Sequence, residues 1–221
     1  MNATALLHLL QLASPALPIG AYSYSQGLEA AIEQGLVTDA ASARAFIADY
    51  LQQVMATWDA PLLWRLMQAY RCKDHDAVAF WSARFIASRD TAELRAESIQ
   101  MGYSLARLIA ELNLADVAML GEEVALPGAF ACAVAGLAIA PADALLAWLF
   151  GWAENQVLVC VKSIPLGQVA GQRLLLSLRA ELEQAAATAR TLADADLSNW
   201  APGLSMLSMQ HEVQHGRLYR S

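Results

Sequence analysis

The pentapeptide HEVQH, His211–His215, has the residue types and the spacing of a zinc hydrolase helix. Residues four positions apart share one face of an α-helix, so His211 and His215 could bind one metal ion there. Glu212 would then be the general base that activates a zinc-bound water molecule. The pentapeptide therefore raises the hypothesis of a zinc-dependent hydrolase.

The residues that follow the pentapeptide do not complete a zinc site. Catalytic zinc needs a third protein ligand, which in the common motifs lies downstream of the second His. Here the downstream segment is GRLYRS, which contains no His, Asp, Glu or Cys, and Gly216 favours the end of a helix. The zinc hydrolase therefore stays as the alternative hypothesis, beside a basic segment with incidental imidazoles and a segment that contacts a partner.

Other common catalytic motifs are missing from the sequence. It contains no phosphate-binding G-x-x-x-x-G-K-[ST], no G-x-S-x-G and no G-x-G-x-x-G. Glu122 and Glu123 precede an Ala-rich run, which is more typical of the first turn of a helix than of paired catalytic acids. We therefore predict that the chain is not an enzyme and that it holds no cofactor and no metal of its own.

The composition is unusually apolar and acidic. Hydrophobic residues make up 57% and charged residues 16% of the chain, whereas about 25% charged residues is usual. This surplus favours apolar surface buried against another chain, although Ala on the exposed faces of helices is the alternative. The net charge of −7, with Lys only at Lys73 and Lys162, argues against nucleic-acid binding.

Several features predict a cytoplasmic protein. The three Cys residues form no C-x-x-C motif, which is typical of a reducing compartment. No Lys or Arg precedes Arg44, so the positive region of a signal peptide is absent. The stretch 124–142 is uncharged, but it is rich in Ala and Gly and contains Pro127 and Pro141, so we predict a buried core helix and no membrane span.

Apolar residues recur at helical spacing along most of the chain, and no hairpin dipeptide separates alternating runs. Thr38, Asp74 and Thr91 are predicted to begin helices, and Pro165 is predicted to open a long helix that ends near Leu192. The run VLVCV in residues 157–161 would suit a strand by itself, but its surroundings are helical. The sequence thus predicts an all-α fold, a single-domain bundle of about eight to ten helices.

The predicted domain spans residues 1–221 and has distinctive ends. Residues 1–21 are predicted to form an N-terminal helix and loop, and residues 194–221 a flexible C-terminal tail that docks onto a partner. Next to the first region, SPALPIGAYSYSQGLE favours a turn in which Ser23 or Ser25 caps a helix, with an anion-binding loop as the alternative. Lys162, in CVKSIPLGQ, is expected either to reach solvent or to pair with a carboxylate.

Four stretches, in their order and spacing, resemble the urease accessory protein UreF family. They are LLQLASPALPIGAYSYSQGLE near the start, TAELRAESIQMG at 91–102, VKSIPLGQ at 161–168 and the final HEVQHGRLYRS. The resemblance implies an all-α cytoplasmic protein that dimerises and has no catalytic activity. It also implies a position between the accessory protein UreD or UreH and the GTPase UreG, in an assembly that loads nickel into apo-urease.

The resemblance also implies roles for individual residues. The family's final pattern is His-Glu, variable residues and then Arg-Leu-aromatic-Arg-Ser, so His215 falls at a variable position and the zinc spacing becomes a coincidence. Glu29 and Lys162 are implied as surface positions that face the GTPase. The residues implied for the UreD/UreH side and the tail are Tyr22, His211, Glu212, Arg217, Leu218, Tyr219 and Arg220.

Overall fold

The computed structural model describes residues 2–221, and within that range the chain forms helices and no strand. Met1, which belongs to the predicted domain, lies outside the described residues. The α-helices are α1 (Ala3–Leu12), α2 (Leu28–Glu33), α3 (Ala40–Tyr50), α4 (Ala60–Cys72), α5 (His75–Ala87), α6 (Ala92–Glu111), α7 (Leu126–Gly136), α8 (Pro141–Ser163), α9 (Gln168–Ser177), α10 (Arg179–Thr191) and α11 (Pro202–Glu212). Since a π-helical stretch, Leu51–Asp59, joins α3 to α4 without a break, the described chain has ten separate helices, and the prediction of an all-α bundle is confirmed.

The centre of the bundle is α7, which packs against α4 and α6 and is buried at every position from Pro127 to Val134. The uncharged stretch of the sequence therefore forms the predicted core helix. Among the described residues, one helix, α8, has the length and hydropathy to cross a membrane. It packs against α4, α9 and α10 inside the bundle, and the core helix of a globular protein has the same composition.

Local sequence signals set most of the helix starts. Asp74 and Thr91 cap α5 and α6 as predicted, each with its side chain accepting a hydrogen bond from a first-turn N–H. The predicted cap at Thr38 is wrong by one residue. The cap of α3 is Asp39, because it and Ser42 form a reciprocal capping box in which each side chain bonds the other's main-chain N–H.

The predicted helix from Pro165 to Leu192 is divided in two. Helix α9 begins at Gln168, and the helix is interrupted at Leu178, whose side chain is fully buried. The sequence has no Gly or Pro at this position. Tertiary packing therefore determines where the helix is interrupted, and no residue type near Leu178 predicts the interruption.

The predicted tail, residues 194–221, is packed against the bundle in this structure. Helix α11 lies against α2 and α6, and the following residues run back to the loop that precedes α2. Tyr219 and Ser221 are buried. Instead of the predicted flexible segment, the structure shows a segment whose main chain is hydrogen-bonded to the body.

The junction of α6 and α7 makes Gly102 intolerant of a side chain. A Cβ atom at this position would lie 2.1 Å from the carbonyl oxygen of Val124 and 2.4 Å from the carbonyl carbon of Ala125. Because both neighbours are main-chain atoms, relief requires that the two segments move apart. We expect Gly102→Ala to lower the free energy of unfolding by about 2–4 kcal/mol, measured by chemical denaturation.

The matched control is Gly203→Ala in α11, where the added Cβ would meet no atom within 4 Å. We expect this change to leave stability unaltered or slightly raised, because Ala is the better helix former. Equal stability of Gly102→Ala and the wild-type chain would contradict the close approach of α6 and α7.

Candidate functional site

Glu29, in the first turn of α2, is the point at which the tail meets the body. Its Oε1 accepts a hydrogen bond from the Leu218 N–H at 2.6 Å, and its Oε2 accepts one from the Tyr219 N–H at 3.1 Å. The residue is only 6% exposed. The expectation that Glu29 is a surface position is therefore wrong, because its carboxylate satisfies the main chain of the tail.

His211 lies at the end of α11, fully buried between two carboxylates. Its Nε2 is 3.0 Å from Oε2 of Glu29, and its Nδ1 is 2.7 Å from Oε2 of Glu93 on α6. One ring therefore links α2, α6 and α11.

Arg217 supplies a positive charge to the same place. Its Nη1 forms an ion pair with Glu93 and lies 3.4 Å from the main-chain oxygen of His211. Glu212, on the other side, accepts a hydrogen bond from the Glu93 N–H at 3.2 Å, in the first turn of α6. Three carboxylates, one imidazole ring and one guanidinium thus form a compact polar network.

A second joint lies one helical turn further along α6, at Glu97. Its Oε1 accepts from the Gln26 side chain and its Oε2 from the Ser221 hydroxyl, both at 2.6 Å. Burial raises the pKa of Glu97 to about 7. The main-chain oxygen of Ser221 accepts from the N–H groups of Ser25 and Gln26 at 2.9 and 3.1 Å, and from the Ser25 hydroxyl. We call Glu29, Glu93, Glu97, His211, Arg217 and Ser221 the tail-anchoring network.

The loop before α2 is shaped around this joint. The Ser25 hydroxyl accepts from the Glu29 N–H at 3.3 Å, so one of the two predicted serines does satisfy a first-turn amide of α2. Gly27 begins the helix with φ +84°, a conformation that favours glycine. The Arg220 N–H donates to the Ser23 carbonyl at 2.8 Å. The loop therefore caps α2 and also binds the end of the tail.

The remaining sequence-predicted residues lie around the network or outside it. Lys162 is exposed, and its Nζ is 5.9 Å from the centroid of the Tyr219 ring, so it reaches solvent and contacts no carboxylate. Leu218 enters the network through its main chain and leaves its side chain 75% exposed. The Arg220 guanidinium lies beside the buried Tyr24 hydroxyl. Tyr22 is exposed and makes none of these contacts.

The structure removes the geometric premise of the zinc hypothesis. Helix α11 ends at Glu212, so His215 lies beyond the helix and is exposed, and it shares no helical face with His211. Both ring nitrogens of His211 already face carboxylates. Within residues 2–221, no three His, Cys, Asp or Glu side chains are arranged to hold a metal ion.

Sequence reasoning missed Glu93, Glu97 and Ser221. The signal was present in TAELRAESIQMG, where Glu93 and Glu97 are four residues apart and so share one face of α6. Carboxylates at this spacing are usually solvated, and the sequence does not show which partner covers them. Their partners are up to 124 residues distant along the chain.

Removing the Glu29 carboxylate should release the tail. Glu29→Ala leaves the part-buried N–H of Leu218 and the buried N–H of Tyr219 unpaired, and it takes one of the two carboxylates from His211. We expect the free energy of unfolding to fall by about 2–4 kcal/mol, and proteolysis at Arg217 and Arg220 to accelerate. Denaturation and limited trypsin digestion measure the two effects.

The control is Glu33→Ala, an exposed carboxylate on the same helix. We expect this variant to change stability by less than about 0.5 kcal/mol and to leave trypsin cleavage unchanged. If the two variants behave alike, Glu29 does not anchor the tail.

A family model and full-length relatives identify the same family for this chain. A family model described as UreF matches residues 37–179. A urease accessory protein UreF of Janthinobacterium sp. (strain Marseille) is 64% identical, with 100% of both chains covered. Another, of Nitrosospira multiformis, is 55% identical over 98% of both chains. With this fold and this coverage, the chain belongs to the UreF family of urease accessory proteins.

Proposed function

We propose that the chain is an adaptor in urease maturation, a nickel-insertion chaperone without catalytic activity of its own. In this proposal it bridges UreD or UreH and the GTPase UreG and couples GTP hydrolysis to assembly of the nickel metallocentre. Its support is the family membership together with one structural observation. That observation is the tail-anchoring network, whose hydrogen bonds and ion pairs fix the tail against the body.

The UreD/UreH side is proposed to be the surface of the tail. The tail is fixed to the body through its main chain and buried polar groups, which leaves apolar side chains facing outward. Apolar side chains held on a fixed backbone are typical of the centre of a protein–protein interface. The exposed ones on α11 and beyond are Met206, Met209, Val213 and Leu218.

The GTPase side is proposed to include Lys162. It is one of only two Lys residues in a chain of net charge −7, and it lies exposed at the end of α8. An exposed charge at a protein–protein contact fixes the register of a partner and steers its approach. Glu29 contributes indirectly, by holding Tyr219 beside Lys162.

We further propose a cytoplasmic homodimer. Helix α1 leaves Leu6, Leu7 and Leu10 exposed, and α8 leaves Leu146 and Phe150 exposed beside it. Exposed apolar residues on neighbouring helices are typical of surfaces covered by another chain. These residues account for part of the apolar surplus seen in the composition.

The tail hypothesis predicts the loss of one partner. Deleting residues 205–221 should abolish capture of UreD or UreH in a pull-down, because the proposed contact surface is removed. The point variant Leu218→Asp should have the same effect with the fold intact, since this side chain is already 75% exposed. Leu176→Asp, on the exposed face of α9, is the control. Full capture by Leu218→Asp and by the deletion variant would overturn the tail assignment.

The GTPase hypothesis predicts an effect specific to one lysine. Lys162→Glu should weaken capture of UreG by at least about tenfold, because a like-charge contact costs more than about 1.4 kcal/mol. Urease activation in cells should fall with it. Lys73→Glu makes the same charge change on an exposed residue at the end of α4 and should leave both readouts unchanged. Equal behaviour of the two variants would remove Lys162 from the interface.

A further inference from the structure

Glu97 is a buried carboxylate at the joint of three segments. It is 2% exposed and connects α6 to the loop before α2 through Gln26 and to the tail through Ser221. It also lines a cavity of about 130 Å³, whose walls are mainly apolar and include Met101 and Trp148. Solvation by water is therefore replaced by two hydrogen bonds, of which one comes from the tail.

Charged and titratable groups surround Glu97 from every side of the joint. Burial has the largest influence on the pKa of Glu97 and raises it. The hydrogen bonds from the Ser221 hydroxyl and the Gln26 side chain lower that pKa by less. Arg89, whose guanidinium is paired with Asp59 at 2.7 Å, also lowers it, and Asp59 raises it. The other titratable groups around the joint are Tyr24 in the loop, Tyr50 at the end of α3, Glu154 on α8, Glu93 on α6 itself, and His211, Arg217 and Arg220 in the tail.

We propose that Glu97 is a proton-linked latch for the tail: a proton on Glu97 favours the docked tail, and loss of that proton loosens it. Undocking removes the Ser221 cover and opens the carboxylate to water, which stabilises its charged form. The protonated form keeps both contacts, since one oxygen still accepts from Gln26 while the O–H donates to the Ser221 hydroxyl. The latch is a property of the chain alone and does not depend on the proposed partners.

The direction of the effect follows from the two states of Glu97. In the docked state its pKa is about 7, against 4.5 as the ordinary value, so the docked state binds the proton more tightly. The contribution of the latch is complete below about pH 4.5 and is lost as pH rises through 7. Within that window the docking equilibrium weakens by up to about tenfold per pH unit. Above pH 7 it changes no further.

Hydrogen exchange at the main-chain N–H groups of Leu218, Tyr219 and Arg220 reports docking directly, because all three are hydrogen-bonded to the body. We compare the full wild-type chain with Glu97→Gln at pH 5 and at pH 8. Comparison at one pH cancels the chemical exchange rate, and His211 is present in both proteins. At pH 8 the wild-type amides should exchange at least about tenfold faster than those of the variant, whereas at pH 5 the rates should agree within about twofold.

A control and a second variant complete the test. Glu154→Gln removes a carboxylate that lines the same cavity without touching the tail, and it should leave tail exchange unchanged at both pH values. Glu97→Met, neutral and of similar length, replaces Glu97→Gln if the latter fails to fold. A ratio of wild-type to variant exchange that is the same at pH 5 and pH 8, with either neutral variant, overturns the latch.

Discussion

The buried carboxylates of Glu29 and Glu97, with the half-buried carboxylate of Glu93, are the constraint on which the arrangement of this chain depends. A buried carboxylate without partners costs several kcal/mol, so each must be matched by donors or positive charges. On α2 and α6 those partners come largely from a segment far along the chain, the main chain of 218–219, His211, Arg217 and Ser221. The body is therefore complete only with the tail in place, and the tail is ordered only by the body.

This mutual dependence would give the proposed adaptor a way to link its two partner surfaces. The segment that presents Leu218 outward is the same segment whose main chain is held by Glu29 and whose Tyr219 ring lies under Lys162. A protein that binds the outer face of the tail therefore binds a segment that is hydrogen-bonded to α2 and α6 and lies beside the end of α8. Two surfaces joined by one short segment can be biased together without any catalytic residue.

Local sequence patterns predicted the helices well and the site only in part. The caps at Asp74 and Thr91 and the burial of α7 follow from signals contained within a few residues. The pairing of Glu29 with residues 189 and 190 positions away has no local signal. Breakers such as Pro202 and Gly216 suggested a flexible tail, but Pro202 only begins α11 and Gly216 lies beyond its end. Distant carboxylates supply hydrogen bonds that order the segment after the helix.

The π-helical stretch between α3 and α4 has a consequence for how this sequence can vary. Wider turns of this kind hold one more residue than an α-turn, and they arise when a residue is accommodated without unwinding the flanking helices. Losing that extra residue from 51–59 would return a wide turn to an α-turn and leave the orientation of the flanking helices largely unchanged. The pairing of Asp59 with Arg89 and the packing of α4 against α7 would then be kept. This segment should therefore tolerate a change of one residue in length better than a regular α-helix does.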